Sequence, residues 1–242
     1  MALCTVHYRG KSIAKDAVMN VILPEGEGPW PVLYLLHGLS DDHSAWQRRT
    51  SLERHAAALP LIIVMPDGHR SFYCNDPRPG GGRYEAHLVQ DVVGFIDRTF
   101  PTIPRRGGRA VAGLSMGGYG AIMLALRHPD VYSVACSHSG ALFFTHRPNA
   151  KRPDVQAYAK ALGPKTYDCF DLARKLKRSK RRLALRLDCG TDDGLLAANR
   201  EFHAHLAKLG LAHEYAEFPG GHNWAYWDEH VQQTLGFVMK NL

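Results

Sequence analysis

The sequence predicts an α/β protein with a mainly parallel central sheet and helices on both faces. Two short runs of consecutive apolar residues, 32–36 and 61–65, have the composition of strands that are buried on both sides. Segments of helical length, with apolar positions repeating at the 3.6-residue period, lie between such runs. Strands that alternate with helices in this way are typical of a parallel sheet.

Turn-forming residues and hydrophobic spacing set the boundaries of the individual elements. Residues 24–29 are rich in Pro and Gly and follow the second opening strand, and Gly210 ends the penultimate helix. The predicted strands are, in chain order, residues 5–8, 18–23, 32–36, 61–65, 110–112, 131–136, 183–189 and 214–218. The predicted helices are residues 45–58, 84–100, 117–127, 195–209 and 226–240.

Residues 141–180 interrupt this alternation. They are polar, punctuated by proline and only partly helical, and we interpret them as a small cap insertion beside one end of the sheet. Neither an internal repeat nor a low-complexity tract occurs in the sequence. We therefore expect a single α/β domain over residues 1–242, with 141–180 as its cap.

Composition excludes several classes of protein. Of the 242 residues, 45% are hydrophobic and 22% charged, which is a globular rather than a disordered composition. The longest apolar runs are far shorter than the ~18–20 residues that cross a bilayer, so no membrane-spanning helix is predicted. The first residues show no signal-peptide pattern, and the five cysteines form no C-x-x-C pair. These observations favour reduced thiols and a cytoplasmic location.

The net charge of +7 is concentrated in one segment, residues 174–186, which holds eight basic residues and no acidic one. This segment could bind a nucleic acid or another anionic partner. We favour a solvated helix face that runs into a strand, because leucines provide an apolar side and no aromatic residue is available to stack on bases. No nucleic-acid or membrane partner is therefore expected.

The sharpest local signal is the segment Gly113-Leu114-Ser115-Met116-Gly117, between a predicted strand and a predicted helix. A serine in a G-x-S-x-G pattern at a strand-to-helix turn is a nucleophile elbow. The glycines permit the sharp bend, and the helix N-terminus directs free N–H groups at the reacting centre. Ser115 is therefore the predicted nucleophile.

A serine hydroxyl needs a base to remove its proton. Among the 14 histidines, His222 stands out because FPGGHNW places it in a glycine-rich loop after the last predicted strand. This loop is at the carboxyl end of the sheet, where the nucleophile elbow also lies. No H-E-x-x-H motif or Cys/His cluster is present, so a metal mechanism is not expected.

A carboxylate should orient the histidine and stabilise its charged form. The loop after the strand 183–189 offers two candidates, Asp192 and Asp193. The chain order Ser, Asp, His agrees with the order in α/β-hydrolases. Aspartate is also a good helix cap, so one of the two can cap the next helix while the other orients His222.

Two backbone N–H groups should stabilise the oxyanion that forms during acyl transfer. Met116 directly follows the nucleophile and supplies one of them. Leu39, in the loop His37-Gly38-Leu39-Ser40 after a buried strand, is the candidate for the other.

Four segments together, LLHGLSDDHSAW, GLSMGGYGA, CGTDDGLL and FPGGHNWAYW, resemble the putative-esterase branch of the α/β-hydrolases. That branch includes esterase D, S-formylglutathione hydrolases, bacterial tributyrin esterases, and feruloyl and acetyl-xylan esterases. The resemblance covers nearly the whole chain and implies the α/β-hydrolase fold. By this match Ser115 is the nucleophile, His222 the base and Asp193 the acid, with Leu39 and Met116 as oxyanion donors. The short length and the compact loop 76–84 are most similar to the tributyrin-type enzymes.

The resemblance implies a serine carboxylesterase that hydrolyses small-molecule esters of short to medium acyl groups through an acyl-serine intermediate. No cofactor and no metal are expected. The alternatives are an S-formylglutathione hydrolase, a feruloyl or acetyl-carbohydrate esterase, and, in another class, a hydrolase-scaffold binding protein that uses residues 174–186. A homo-oligomer is compatible with the sequence. The predicted substrate-binding residues are Trp46, Leu142, Phe143, Phe144 and Trp224.

Overall fold

A mixed sheet of eight strands lies at the centre of the computed structural model, which describes residues 1–147, 152–163, 165–179 and 181–242. The strands are β1 (Ala2–Gly10), β2 (Lys15–Leu23), β3 (Val32–Leu36), β4 (Ile62–Pro66), β5 (Arg109–Leu114), β6 (Val134–His138), β7 (Ala184–Gly190) and β8 (Glu214–Phe218). Their order across the sheet is β1-β2-β4-β3-β5-β6-β7-β8. β1 and β2 form an antiparallel hairpin and β2 pairs antiparallel with β4, whereas the other neighbours are parallel. The predicted α/β fold with a mainly parallel sheet is confirmed.

Helices connect the parallel strands and cover both faces of the sheet. They are α1 (Ala45–Arg49), α2 (Leu52–Ala56), α3 (Tyr84–Ala86), α4 (Val93–Thr99), α5 (Met116–Arg127), α6 (Pro153–Leu162), α7 (Cys169–Ser179), α8 (Leu196–Lys208) and α9 (Trp224–Asn241). A π-helical segment, His87–Val92, joins α3 to α4, and a 3₁₀ turn, Arg106–Gly108, precedes β5.

The apolar core has two parts, one on each face of the sheet. Alternate residues of β3 point to opposite sides, so that Tyr34 belongs to one cluster and Leu33 and Leu35 to the other. The larger cluster includes side chains of α5, α7 and α8, and the smaller one includes side chains of α1, α2 and α9. All five residues of β3 are buried, as expected for a strand covered on both faces.

The predicted helix over residues 45–58 is wrong in its continuity, because the chain leaves the helical conformation at Thr50. The Thr50 hydroxyl donates to the Trp46 carbonyl and accepts the Leu52 N–H at 3.2 Å. The Ser51 N–H is bound by the Asp228 carboxylate at 2.6 Å. These side chains satisfy backbone groups that a continuous helix would pair internally, and the segment forms two short helices instead.

The segment 141–180 contains α6 and α7, and its residues 148–151, 164 and 180 lie outside the described residues. Phe170, Leu172 and Leu176 of α7 are buried in the larger core cluster, so α7 belongs to the helical layer on the sheet. Residues 152–163 lie instead beside the carboxyl ends of the strands, as the cavity described below shows. The assignment of the whole segment as a cap stays a prediction.

The basic segment 174–186, apart from residue 180, follows the helix-into-strand path expected for it. Leu183 and Leu185 are buried, and Arg186 is buried in an ion pair with Asp188. Arg186 therefore does not contribute to a surface patch. In the ranges that the structure describes, no helix combines the length and apolar character needed to cross a membrane.

Candidate active site

Ser115 occupies a sharp turn between β5 and α5. Its backbone has φ 52° and ψ −112°, a conformation that a non-glycine residue adopts only when its surroundings enforce it. The Ser115 N–H donates to the His138 carbonyl at 2.9 Å, and the Ser115 carbonyl accepts the N–H groups of Tyr119 and Ala141, each at 3.0 Å. These bonds to β6 and to the loop after it hold the strained turn in place.

Close backbone contacts explain the glycines on either side of the serine. A Cβ on Gly113 would lie 2.6 Å from the Gly117 carbonyl carbon, and a Cβ on Gly117 would lie 2.4 Å from the Leu36 carbonyl oxygen. Any side chain here would force β3, β5 and the start of α5 apart. The G-x-S-x-G pattern therefore reflects the packing of the turn as well as its bend.

Two consecutive hydrogen bonds connect Ser115, His222 and Asp193. The Ser115 hydroxyl donates to His222 Nε2 at 3.0 Å, and His222 Nδ1–H donates to Asp193 Oδ2 at 2.8 Å. The carboxylate at Nδ1 fixes the tautomer in which Nε2 carries the free lone pair. The imidazole can therefore accept a proton from Ser115.

Two adjacent loops bring Asp193 to His222. The Thr191 N–H donates to the Phe218 carbonyl at 2.8 Å, and the Asp192 N–H donates to the Gly220 carbonyl at 2.9 Å. A Cβ on Gly190 would lie 2.2 Å from the Gly220 carbonyl oxygen, so the backbones touch where β7 and β8 end. This contact fixes the distance between the aspartate loop and the histidine loop.

Asp193 is the aspartate that orients His222, and neither aspartate caps α8, for which the described residues provide no side-chain cap. Asp193 Oδ2 accepts the His222 proton, and its Oδ1 accepts the Leu195 N–H at 2.7 Å, just ahead of α8. Asp193 is buried, whereas Asp192 is exposed. Burial acts to raise the pKa of the Asp193 carboxyl, but the hydrogen bonds from His222, Leu195 and Ser139 outweigh it and hold that pKa below its usual value.

The His222 ring is supported by Trp227 of α9. The two rings meet edge to face, with centroids 5.0 Å apart and an interplanar angle of 88°. The Trp227 indole N–H donates to the Ser139 hydroxyl at 3.3 Å, and Ser139 also helps to lower the pKa of Asp193. The imidazole is thus packed against an aromatic ring, and 36% of the His222 side chain is exposed.

Leu39 and Met116 line the same cavity as Ser115. Met116 is the first residue of α5, so its N–H has no partner inside the helix. The Leu39 N–H donates to no backbone group within residues 1–147, 152–163, 165–179 and 181–242. Neither N–H group is therefore committed to a described backbone hydrogen bond.

His37 fixes the peptide unit that contains the Leu39 N–H. The Gly68 N–H donates to His37 Nε2 at 2.8 Å, which leaves the ring proton on Nδ1 to donate to the Gly38 carbonyl at 2.7 Å. The Gly38 carbonyl and the Leu39 N–H belong to one planar peptide and point in opposite directions. Because His37 holds the Gly38 carbonyl on the buried side, the Leu39 N–H points away from that side.

Comparison with known proteins gives an independent result. Residues 10–238 match the family described as "Putative esterase". The chain belongs to this family. An acetyl esterase from Caldicellulosiruptor saccharolyticus is 25% identical, and the alignment covers 99% of both chains.

Solved structures of two similar enzymes agree in fold with this esterase. An S-formylglutathione hydrolase from Staphylococcus aureus is 27% identical with a TM-score of 0.86, over 98% of both chains. A ferulic acid esterase is 27% identical with a TM-score of 0.85, over 100% of this chain and 99% of the other. The esterase therefore has the α/β-hydrolase fold that the resemblance implied.

A largely apolar cavity of about 390 Å³ opens beside Ser115, and we call it the apolar cavity. Phe143 and Phe144 lie in its wall, together with Phe72, whose ring stacks on Phe144 with centroids 3.6 Å apart. Other lining residues are Leu39, Ser115, Met116, Ala141, Arg152, Val155, Asp193, Gly194, Leu195 and His222. Such a lining suits an uncharged hydrocarbon group next to the serine.

A second cavity of about 470 Å³ also adjoins Ser115 and His222, and we call it the polar cavity because Ser40, Asp41, Arg70 and Asn223 are in its lining. Trp224, one of the predicted substrate-binding residues, lies in its wall with Ser40, Asp41 and Asn223. Arg152 borders both this cavity and the apolar one.

The prediction that Trp46 and Leu142 line the substrate pocket is wrong. Both side chains are 1% exposed and belong to the core clusters. The Trp46 indole N–H is used inside the core, where it donates to the Leu36 carbonyl at 3.0 Å. A large apolar residue near a motif is compatible with either location, and here packing against the sheet decides.

Phe72 and Val155 also line the apolar cavity, although neither was predicted from the sequence. Phe72 lies between β4 and α3, where no element was predicted, and its aromatic pair Phe72-Tyr73 was a usable signal. Tyr158 ties the two segments together, because its hydroxyl donates to the Ser71 carbonyl at 2.8 Å. No group of three or more potential metal ligands occurs among the residues that the structure describes.

Proposed function

We propose that this esterase is a serine carboxylesterase that hydrolyses esters of short to medium acyl groups through an acyl-serine intermediate. The observation that carries the proposal is the hydrogen-bonded line from the Ser115 hydroxyl through His222 to Asp193. In the first step His222 Nε2 takes the Ser115 proton as Oγ attacks the ester carbonyl. Asp193 keeps the imidazole in the required tautomer and stabilises its charged form.

The two free amides complete this catalytic triad as an oxyanion hole. The N–H groups of Leu39 and Met116 stabilise the charge on the carbonyl oxygen in the tetrahedral intermediate. His37 orients the Leu39 peptide before substrate arrives, so little reorganisation is needed during the reaction. Collapse of the intermediate expels the alcohol, which takes its proton from His222.

Deacylation repeats the same steps with water in place of serine. His222 removes a proton from water as the water attacks the acyl-serine carbonyl, and the same proton then returns to Ser115 Oγ as the acid leaves. Every bond change is carried by Ser115, His222 and the two amides. The chemistry requires no metal or organic cofactor.

The apolar cavity is the proposed site of the acyl group. Its volume of about 390 Å³ and its apolar lining, beside Ser115, fit a short or medium hydrocarbon chain. The stacked rings of Phe72 and Phe144 also favour a second candidate, an ester of an aromatic acid, which agrees with the ferulic acid esterase among the similar structures. An acetylated carbohydrate and S-formylglutathione are the further substrates that the similar proteins indicate.

We also propose a cytoplasmic location for this enzyme. All five cysteines are free, and four of them are buried thiols. Free thiols are the usual state in a reducing compartment.

The experiment that tests the function is a hydrolysis panel assayed on one preparation. It contains p-nitrophenyl esters of increasing acyl length, a cinnamoyl ester, an acetylated sugar and S-formylglutathione. The expected result is hydrolysis that ends when Ser115 is replaced by alanine, with the circular dichroism spectrum unchanged. Ser133→Ala, at the amino end of β6, is the matched control and should retain activity. Full activity of Ser115→Ala would overturn the proposal.

A further inference from the structure

Three charged side chains form a cluster at the mouth of the two cavities, and we call it the rim cluster: Arg70, Arg152 and Asp154. Arg70 Nη2 lies 3.1 Å from Asp154 Oδ2, and Arg152 Nη2 lies 3.4 Å from the same oxygen. Each guanidinium is about half exposed, at 48% and 47%. Ion pairs this exposed contribute little to stability, so the two arginines are not explained by a role in the fold.

The rim cluster borders the space around the reacting atoms. Arg152 lines both cavities that contain Ser115 and His222, and Arg70 lines the polar cavity. Arg70 and Asp154 also line a third cavity of about 520 Å³, together with Lys15. A ligand that extends from Ser115 into the polar cavity therefore occupies a space that both arginines line.

Charge balance around the cluster favours an anion as that ligand. Two guanidiniums share the single Asp154 carboxylate, and Lys15 lines the third cavity as a further cation. Both oxygens of the Asp76 carboxylate, in the lining of the same cavity, already accept hydrogen bonds from Arg78. Asp41 lies against Gly38 in the polar cavity, with Oδ2 2.7 Å from the position that a Cβ on Gly38 would take. A guanidinium fork matches a carboxylate or a phosphate in shape.

The reaction assigns the two sides of the site. Because the apolar cavity suits the acyl group, the alcohol part of the ester extends towards the polar cavity and the rim cluster. We propose that Arg70 and Arg152 bind a carboxylate or phosphate on the leaving alcohol, so that this enzyme prefers esters whose leaving group is an anion. This inference rests on the proposed function and adds the chemical class of the leaving group.

Four aryl acetates that share one acyl group test the proposal. Their leaving phenols carry a para carboxylate (4-acetoxybenzoate), a para phosphate (4-acetoxyphenyl phosphate), a neutral para carboxamide (4-acetoxybenzamide) and a para trimethylammonium cation. Each variant is compared with wild type on the same ester, so differences in leaving-group reactivity cancel. The carboxylate and phosphate arms distinguish the two kinds of anion.

Variants of opposite sign make the test specific. Arg70→Gln/Arg152→Gln should lower kcat/KM about tenfold on the preferred anionic ester, mainly through KM, and leave the carboxamide ester within about twofold. Asp154→Asn should act in the opposite direction, with a higher kcat/KM for the anionic ester and a lower one for the cationic ester. Arg200→Gln, which removes an exposed arginine paired with Glu217 on α8, is the matched control and should change none of them. Added salt should reduce the preference of the wild type.

Each possible result decides the proposal. Equal losses on all four esters, or effects of Asp154→Asn in the same direction as those of the arginine variant, would overturn it while leaving the esterase function intact. A loss in the arginine variant that is larger on the carboxamide or the cationic ester than on both anionic esters would also overturn it. Hydrolysis of none of the esters by wild type would contradict the proposed function and this inference together. Full activity of Ser115→Ala would overturn the proposed function through an acyl-serine intermediate, but not the preference for an anionic leaving group.

Discussion

Replacing Asp193 by asparagine removes a charge while keeping nearly the same shape, so it tests how His222 is oriented. The two Asp193 oxygens accept two different N–H groups, from His222 at 2.8 Å and from Leu195 at 2.7 Å. Asparagine has only one acceptor oxygen, so one of the two donors loses its partner in either orientation of the amide.

The two orientations of the new side-chain amide have different consequences. With the NH₂ group facing His222, Nδ1 must become the acceptor and Nε2 carries the proton, so the imidazole cannot take the proton of Ser115. The same change of tautomer lowers turnover about 10⁴-fold in a serine protease. With the NH₂ group facing Leu195, the Leu195 N–H loses its acceptor at a cost of about 1 kcal/mol, and the negative charge beside the imidazole is lost as well.

We therefore expect Asp193→Asn to lower kcat by at least about 10²-fold, which corresponds to about 2.7 kcal/mol in the activation free energy. The exposed neighbour Asp192 is the matched control, and Asp192→Asn should remain within about tenfold of wild type. Both variants are measured with a short-chain p-nitrophenyl ester at saturating concentration, and thermal unfolding checks that each is folded. The reverse ranking of the two variants would refute the reasoning and move the acid to Asp192.

Three further predictions concern packing, pH and the acyl site. Gly117→Ala should lower the free energy of unfolding by about 1–3 kcal/mol in chemical denaturation, because the new Cβ would lie 2.4 Å from the Leu36 carbonyl oxygen. In contrast, Gly236→Ala should raise the free energy of unfolding by about 0.5–1 kcal/mol, because this exposed position in α9 has nothing within 4 Å of a Cβ. A lower free energy of unfolding in both variants would show that helix geometry, not contact, is responsible. Burial acts to raise the pKa of Glu85, but hydrogen bonds from His128, Arg127 and Tyr167 hold it at about 2, below the usual 4.5. The ionised Glu85 carboxylate therefore contributes about 3 kcal/mol to the free energy of unfolding above pH 4.5, and this contribution is lost as the pH falls to 2. Glu85→Gln should therefore make the free energy of unfolding depend less steeply on pH in this acid range. An unchanged dependence on pH would contradict this. Phe143→Ala should lower kcat/KM for a butyryl ester about threefold more than for an acetyl ester. The butyryl group has two more CH₂ groups, and part of the ~0.8 kcal/mol from burying each of them is lost without the Phe143 ring. Equal losses on both esters would show that Phe143 does not contact the acyl group.

Most of the fold was predictable because its elements carry local signals. Strands β3 and β8 have the predicted boundaries at both ends. The break between α1 and α2 was not predictable, since it depends on the Asp228 carboxylate, 177 residues away in the sequence, which binds the Ser51 N–H. Contacts of this kind exist only after the chain has folded, and a helical pattern such as that of residues 45–58 contains no trace of them.

In the candidate site, too, residues with a local sequence signal were predictable and residues placed by long-range contacts were not. Ser115 and His222 stand in motifs with their own backbone requirements, so the sequence identifies them directly. Phe72 and Val155 reach the cavity because the Tyr158 hydroxyl ties α6 to the Ser71 carbonyl, and no local pattern encodes that contact. Trp46 was assigned to the pocket and lies in the core, because size and apolarity alone do not distinguish the two locations.

In the proposed mechanism the Ser115 hydroxyl oxygen, activated by His222, forms the covalent bond to the acyl group. An alkyl fluorophosphonate reacts irreversibly with an activated serine, and peptide mass mapping then locates the adduct. We expect one phosphonyl group per chain, on Ser115, and no adduct in Ser115→Ala. In His222→Ala the labelling rate should fall at least about 10²-fold. An adduct on any other residue, or labelling of Ser115 at the wild-type rate without His222, would contradict this mechanism.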